Sequence, residues 1–393
     1  MNIVLIDPPA RERFYPLAST RPVGAFRVGI LTIKEKWEHY CQCPVSYKTT
    51  EPIQEKYPCT ITETGTIFIN AGVCPTAILA EEIKYLKPGD AIKYKGDLIA
   101  AVLEAPLKFN FLGLTFFDTQ SEELSVINQL SDIFTLNDKE IRADFQILTS
   151  GKTSLPLPSH NTLIGDVSQL FIEEGATINA SIINTQTGPV YIGKHCEIME
   201  GCMVRGPFAM GAHSVLKMGA KIYGATSLGV ECRVGGEVNN CVIFSYSNKG
   251  HDGFLGNSVL GEWCNIGADS NNSNLKNNYA EVKLWSYKTD KFEYTRLQFC
   301  GLIMGDHSKC GINTMFNTGT VVGVACNIFG AGFPRNFVPD FSWGGAQGME
   351  VYPIAKVFEV AELVMQRRHL SLTDMDKKIL THLFEETAKY RKF

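Results

Sequence analysis

Residues 192–238 read IGKHCEIMEGCMVRGPFAMGAHSVLKMGAKIYGATSLGVECRVGGEV, and one position in every six decides the fold. Ile192, Ile198, Val204, Met210, Leu216, Ile222, Leu228 and Val234 are all apolar, without a slip in register. The fifth position of each hexad is mostly small, as in Cys196, Cys202, Ser214, Ala220, Thr226 and Cys232, with Phe208 and Val238 the larger members. Glycine often follows the apolar residue, as in Ile192-Gly193, Met210-Gly211, Leu228-Gly229 and Val234-Gly235. A period of six matches neither a helix nor an alternating strand joined by hairpins. It predicts a triangular solenoid in which each hexad supplies one short strand and one corner. The first residue points into a narrow core, and the fifth is small where the coil turns.

The register extends outward from this stretch. It recurs at Leu260-Gly261 and Ile266-Gly267, then at Met304-Gly305, Cys310-Gly311, Phe316-Asn317, Val322-Gly323 and Ile328. Weaker turns precede it at Ile164-Gly165, Ile172 and Ile178. The chain has 12 cysteines, which need an account. Only Cys41 and Cys43 are closely spaced, so no zinc-type pair appears. Cys196, Cys202, Cys232, Cys264 and Cys326 fall at the fifth position and Cys310 at the first, which makes them core residues. His195, His213 and His307 fall at the solvent-facing fourth position.

The bulk properties exclude several classes. At 393 residues and a net charge of -4, the chain has room for two domains and no strongly basic surface for nucleic acid. The start, Met1 to Asp7, turns acidic too early for a signal peptide, and no apolar run reaches membrane-spanning length. A cytoplasmic location is expected.

The repeat is expected to lapse twice. One break covers Asn240 to Gly253 and contains Lys249-Gly250-His251-Asp252-Gly253. The other, Asn271 to Phe299, is polar and then strand-like, with a turn at Thr289-Asp290, and reads as a hairpin arm leaving the coil toward a neighbouring subunit. A histidine in a glycine-flanked loop suits general-base work near neutral pH, and asparagine amides and backbone N–H groups suit stabilisation of a tetrahedral intermediate.

The hexads resemble the hexapeptide-repeat acyltransferase superfamily, which implies a left-handed parallel β-helix and a homotrimer with active sites between subunits. Gly250-His251, Leu255-Gly256, Asn265-Ile266-Gly267-Ala268 and Asn274 resemble the acetyltransferase half of the bifunctional UDP-N-acetylglucosamine pyrophosphorylase/glucosamine-1-phosphate N-acetyltransferase family. The resemblance implies His251 as catalytic base, with Asn274 completing the site. It implies Asn265 and the position of Phe254 as substrate-binding candidates, and Arg205, Lys249 and Lys283 are candidates to supply a phosphate-binding charge that the family pattern places elsewhere. Acetyl-CoA would lie along late coils at Gly311, Thr314, Gly330 and Ala331, with Arg335 meeting a phosphate. The sequence departs from the family pattern. Gly250 replaces an asparagine, Phe254 a tyrosine and Asp269 a glycine, and Asn239 stands near the place of a phosphate-binding lysine. Acyl transfer is therefore better supported than any one acceptor.

The first 150 residues open with an expected strand, Ile3 to Ile6. Arg13, Pro16-Leu17 and Arg21-Pro22 then resemble the start of a sugar-1-phosphate nucleotidyltransferase, which implies an α/β domain. The glycine loop of that family is missing. Pro8 and Pro9 stand nearby, and proline offers no N–H to a phosphate. The strand Thr66 to Ile69 ends in Asn70 and Ala71, where the family carries a metal-binding aspartate. Arg11, Arg13, Arg21 and Arg27 are the anion-binding candidates for a nucleotide. Mg²⁺ is implied only if this domain is active.

Three regions are thus expected: a nucleotidyltransferase-like α/β domain over 1–150, the β-helix over 160–345 and a helical tail over 346–393. A short helix is expected over 77–86, a second before Leu136, and a linker over 149–159. Three functions compete. These are an acetyl-CoA-dependent N-acetyltransferase acting on an amino-sugar phosphate such as glucosamine-1-phosphate and joined to a nucleotidyltransferase-like domain, a uridylyl- or thymidylyltransferase whose β-helix only regulates or oligomerises, and a non-catalytic scaffold. None involves nucleic acid or a membrane.

Overall fold

The structure is a computed structural model that describes residues 1–62, 65–103 and 109–393. It contains two compact units. The first comprises residues 1–11, 20–26 and 31–128; the second comprises 12–19, 27–30 and 129–393.

The first unit is built on a six-stranded sheet. Its strands are β1 (Asn2–Ile6), β2 (Val45–Lys48), β3 (Thr66–Asn70), β4 (Asp90–Tyr94), β5 (Asp97–Val102) and β6 (Thr115–Asp118), in the order β2-β1-β3-β5-β4-β6. β1 lies parallel to both β2 and β3, while β5 runs antiparallel to β3. Ile3, Val4 and Leu5 are all buried, as a strand covered on both faces requires, and this is why the sequence shows a continuous apolar run there. Helix Ile33–Cys41 starts at a capping box formed by Thr32 and Glu35. Its Trp37 indole donates to the Val73 carbonyl at 2.9 Å. The expected helix near residue 77 runs Ala77–Glu82 and tightens into a 3₁₀ turn at Ile83–Tyr85.

The second unit is dominated by a left-handed β-helix. One face is a nine-stranded parallel sheet running from Leu170–Ile172 to Phe337–Val338. The hexad residues Ile192 to Val234 all lie in one buried cluster with the cysteines of the fifth position. The first coil differs in register. Leu163 packs against this core and Ile164 faces outward, 38% exposed.

The fifth-position cysteines have a physical reason beyond small size. Along one corner the column reads Cys196, Ser214, Cys232, Ser247, Cys264, Ser308, Cys326. Each side chain donates to a main-chain carbonyl one coil on, as in Cys196 to Gly211 at 3.1 Å, Ser214 to Gly229 at 2.8 Å and Cys232 to Phe244 at 3.2 Å. The serines also accept from the next cysteine N–H, for example Ser214 Oγ from Cys232 at 3.0 Å. Buried corner carbonyls are thereby satisfied where the ladder cannot reach them. All twelve cysteines are free thiols.

The first expected break is not a break. Ser227 pairs with Val242 and Val242 with Val259, so the coil continues through 240–253 with tighter corners. Asn240 and Tyr246 take left-handed backbone conformations there, which absorbs the missing residues. The second is a true excursion, since Val259 pairs next with Ile303. Its hairpin, Lys283–Ser286 against Lys291–Tyr294, does not reach away as an arm. Val282, Leu284 and Tyr287 are buried, and Trp285 stacks on Phe337 of the same coil stack at 4.3 Å.

Two further helical layers belong to this unit. Helix Asn137–Thr149 packs Ile141 and Phe145 against Phe171, Tyr191, Ala209 and Ala225 on the outside of the coils. Buried Asn137 fixes it, donating to Ala225 O at 2.7 Å and accepting from Ser227 Oγ at 3.0 Å. This docking puts residues 129–150 with the β-helix rather than with the N-terminal unit. The C-terminal helices Ile354–Gln366 and Asp374–Glu386 bury Val357, Ala361 and Leu383 against Trp263, Ala325 and Phe341. The tail therefore packs along a corner of the late coils. Among the described residues, no helix is long and apolar enough to cross a membrane.

Candidate functional site

The site grows from one edge of the β-helix. The corner at 250–253 carries His251, which is exposed. The corners at 267–270 and 311–314 follow it coil by coil, held by Asp269 N–H to Asp252 O at 3.0 Å and Asn313 N–H to Ala268 O at 2.8 Å. The corner at Phe329–Gly330 comes next, tied by Gly311 N–H to Ile328 O at 2.7 Å. His251, Gly311 and Gly330 thus share one edge, spanning roughly 14 Å at ~4.8 Å per coil. Gly253 closes the first corner with φ +112, and a Cβ there would lie 2.2 Å from Ser270 O.

Past this corner the chain enters the strand Phe254–Gly256. Phe254 N–H donates to Asn271 Oδ1 at 2.8 Å, and Asn274 Nδ2 donates to Asn257 Oδ1 at 2.8 Å. The Phe254 ring and the Asn274 amide both lie over Gly256, where a Cβ would come within 2.5 Å of Phe254 Cζ and 2.7 Å of Asn274 Nδ2. Asn265 lies on the neighbouring face, bridged to Asn248 and Lys309. Ser273, beside Asn274, accepts from Thr318 Oγ1 at 2.7 Å.

Thr318 leads into a cleft of about 1160 Å³. Lys276, Lys283, Arg335 and Lys392 line it together with Trp285 and Phe337, and among the described residues no Asp or Glu side chain lines it, the one carboxylate there being the terminal group of Phe393. Lys283 also lies over the Tyr294 ring at 4.2 Å. Four cations beside stacked aromatic rings suit a ligand that carries both phosphates and a planar base. Lys283 and Arg335, expected in separate roles, line one cleft. Lys276, Lys392 and Trp285 escaped sequence reasoning, because nothing in their local pattern reveals that the excursion and the C-terminus converge.

Other expected residues fall elsewhere. Arg205 is exposed three coils before Gly256 in the same column, roughly 14 Å away at ~4.8 Å per coil. Thr314 is buried, and its hydroxyl donates to Gly311 O at 2.9 Å, so it braces the corner. Lys249, expected among the substrate-binding candidates, lies inside the coil and not on its surface. It is 1% exposed and occupies an inward core position, because Val234 is its strand partner. His195 and His213 are exposed and stacked at 5.1 Å, and His307 leans on Trp263.

The arginines are divided between the units. In the first, Arg11 is buried and spends its donors on Asp7 at 3.2 Å, Thr50 at 2.9 Å and the Arg21 carbonyl at 3.1 Å. Arg21 is also buried. In the second, Arg27 donates to Ile30 O and Arg13 lies over the Phe14 ring at 4.9 Å. The end of β1 offers Asp7, but its carboxylate already accepts from Val23 N–H at 2.8 Å, Thr49 Oγ1 at 2.5 Å and Arg11. Asn70 turns back to accept from Gly72 N–H at 3.0 Å. These residues do not fit a Mg²⁺ ion.

A buried acid sits beside the cleft. Asp340 accepts from Val324 N–H at 2.7 Å and from the Tyr287 hydroxyl at 2.9 Å, and burial pushes its carboxyl up to about 6. The folded chain therefore holds a proton that the unfolded chain has lost between the ordinary carboxylate range and pH 6. The stability this group confers is present at low pH and is lost as pH rises through about 6. Asp340→Asn should match the parent near pH 4 and exceed it by roughly 3 kcal/mol above pH 7, read by thermal melts across pH.

A family model described as a sugar nucleotidyl transferase matches residues 3–153. The bifunctional protein GlmU of Methanocaldococcus jannaschii is 34% identical over 90 residues, covering 23% of this chain and 21% of that protein. The bifunctional protein GlmU of Synechococcus elongatus is 24% identical over 235 residues, covering 56% of this chain and 47% of that protein. The chain thus spans less than half the length of the curated relatives it matches. The crystal structure of the polySia specific acetyltransferase NeuO is 15% identical, covers 49% of this chain and 81% of that one, and has a TM-score of 0.23.

Proposed function

We propose that this chain, a GlmU-like protein by its N-terminal family match and its relatives, transfers an acetyl group from acetyl-CoA to the amine of a small amino-sugar phosphate, glucosamine-1-phosphate or a close analogue. One observation carries the reading. The edge bearing His251 runs along successive corners toward Gly330, and the next corner of the same coils, across the strands Asn271–Asn272 and Met315–Phe316 and tied by the Ser273–Thr318 bond, opens on a cleft lined by Lys276, Lys283, Arg335 and Lys392. The cleft would hold the phosphates and base of the donor, and the edge would carry its extended arm to His251.

The chemistry follows from the residues. The acceptor amine attacks the thioester carbonyl, and the C–S bond breaks. His251 takes the proton from the amine and passes it to the departing thiolate. Asn274 and nearby backbone N–H groups would stabilise the oxyanion. Phe254 offers an apolar face to the sugar ring. Assembly as a homotrimer would complete each site from a neighbouring copy. The test is thiol release from acetyl-CoA by the full chain, with and without glucosamine-1-phosphate. No acceptor-dependent release across a panel of amino-sugar phosphates sinks the proposal.

Arg335 gives a sharper check on the donor site. Arg335→Ala should raise KM for acetyl-CoA roughly ten- to a hundredfold with kcat little changed, since a charge-assisted phosphate contact contributes about 1.5–3 kcal/mol of binding. A loss confined to kcat would place the donor elsewhere.

A second reading has its own support in the family match over residues 3–153, which favours nucleotidyl transfer by the first unit. The spent Asp7 carboxylate and the occupied Arg11 weigh against it. Pyrophosphate release from UTP or dTTP with a sugar-1-phosphate would support it.

A further inference from the structure

The inward column Ile198, Leu216, Val234 continues through Lys249 to Ile266, Cys310 and Ile328. A lysine thus stands where every neighbouring coil places an apolar side chain or a thiol. Its ammonium does not escape to solvent. It donates inside the coil to the main-chain carbonyl of His251. Burial pushes it down to about 8, with Lys221 acting in the same direction, while Asp252, Cys310 and Asp269 partly offset the effect.

An ammonium in an apolar column weakens the fold, and methionine has nearly the same length without the charge. What the lysine supplies is a bond to the corner that carries His251. Such a trade of stability for placement is characteristic of functional sites. We propose that Lys249 is a positioning residue: from inside the coil it holds the main chain of the 250–253 corner, so that the His251 imidazole is presented in one place toward Phe254 and Asn274. This rests on His251 being the base. It differs from a surface role in binding substrate charge, because the ammonium is enclosed.

The test compares Lys249→Met and Lys249→Gln with the parent full chain in three measurements. Thermal melts should show the Met variant at least as stable as the parent. In the acetyl-transfer assay its kcat should fall roughly ten- to a hundredfold with KM for acetyl-CoA unchanged, as expected for a misplaced catalytic group. The Gln variant, which keeps a neutral donor, should be intermediate. Amide hydrogen exchange should quicken at 250–253 and stay unchanged over 192–238. The parent kcat should also decline as pH rises through about 8, where the ammonium loses its proton, and the Met variant should lack that limb. A residue that merely filled the core would lose stability and exchange protection throughout the coil, and that result overturns the proposal. So does an unchanged kcat, or unchanged exchange at the corner. If the Met variant does not fold, Gln decides by the same criteria. If the parent releases no thiol, acetyl transfer fails as a reading, and the exchange measurement alone still decides whether Lys249 holds the corner.

Discussion

Replacing His251 by alanine is expected to lower kcat for acetyl transfer by about 10²–10⁴-fold, the range over which a positioned general base contributes. KM for acetyl-CoA should stay near the parent value, because the cations proposed to hold the donor lie in a separate cleft of the same unit. The melting temperature should barely move. His251 is exposed, and the bond it gives the fold runs through its carbonyl, which alanine keeps. The measurement is thiol release at saturating acceptor, paired with a thermal melt. Added imidazole should restore part of the rate in the alanine variant, since the lost group is a proton acceptor rather than a structural brace. A variant with parental kcat would remove His251 from the chemistry and leave the cleft without a partner for its donor.

The β-helix was readable because its signal is local and repetitive. Each hexad from Ile192 to Val234 restates the same core position, so one residue in six suffices. What escaped depended on partners far along the chain. Helix Asn137–Thr149 was missed because its buried face meets Phe171, Tyr191 and Ala225, which no local pattern announces. The alternation of cysteine and serine along one corner was visible as small residues, but its hydrogen-bond logic needs the next coil's carbonyls. The segment 240–253 looked like a lapse because a shortened coil breaks strict hexads while keeping strand pairing intact. Lys249 was misplaced for the same reason. With the register apparently lost, nothing in the sequence assigned it to the inward column.

The candidate site divides along similar lines. His251, Phe254 and Asn274 were legible because a short motif holds them, and the structure gathers Phe254 and Asn274 over Gly256. The cleft was half legible. Arg335 and Lys283 were singled out, but Lys276 and Lys392 enter only because the excursion and the C-terminal segment fold back onto one coil edge. The arginine cluster proposed for a nucleotide is the weaker part. Arg11 is committed to Asp7, Thr50 and a backbone carbonyl, a use that residue spacing cannot reveal.

The corner that presents His251 makes the sharpest structural prediction. Gly253 has φ +112, and a Cβ there would lie 2.2 Å from the carbonyl oxygen and 3.0 Å from the carbonyl carbon of Ser270. Those are backbone atoms of the next coil, so no side-chain rotation relieves the collision. Gly253→Ala should therefore cost the strain of a disfavoured backbone, about 1–3 kcal/mol, together with an overpacking cost of about 1–3 kcal/mol. Gly219→Ala is the matching control. Gly219 also has positive φ, at +69, but nothing lies within 4 Å of its Cβ position. It should lose only the backbone cost, about 1–2 kcal/mol. Denaturant unfolding of both variants separates the two contributions. Activity separates them further, since displacing the 250–253 corner moves His251 and should cut kcat about a hundredfold, whereas Gly219→Ala should leave kcat intact. Equal stability losses in the two variants would mean that the coils relax freely past one another at this edge. The edge would then lack the rigidity that a fixed catalytic corner requires.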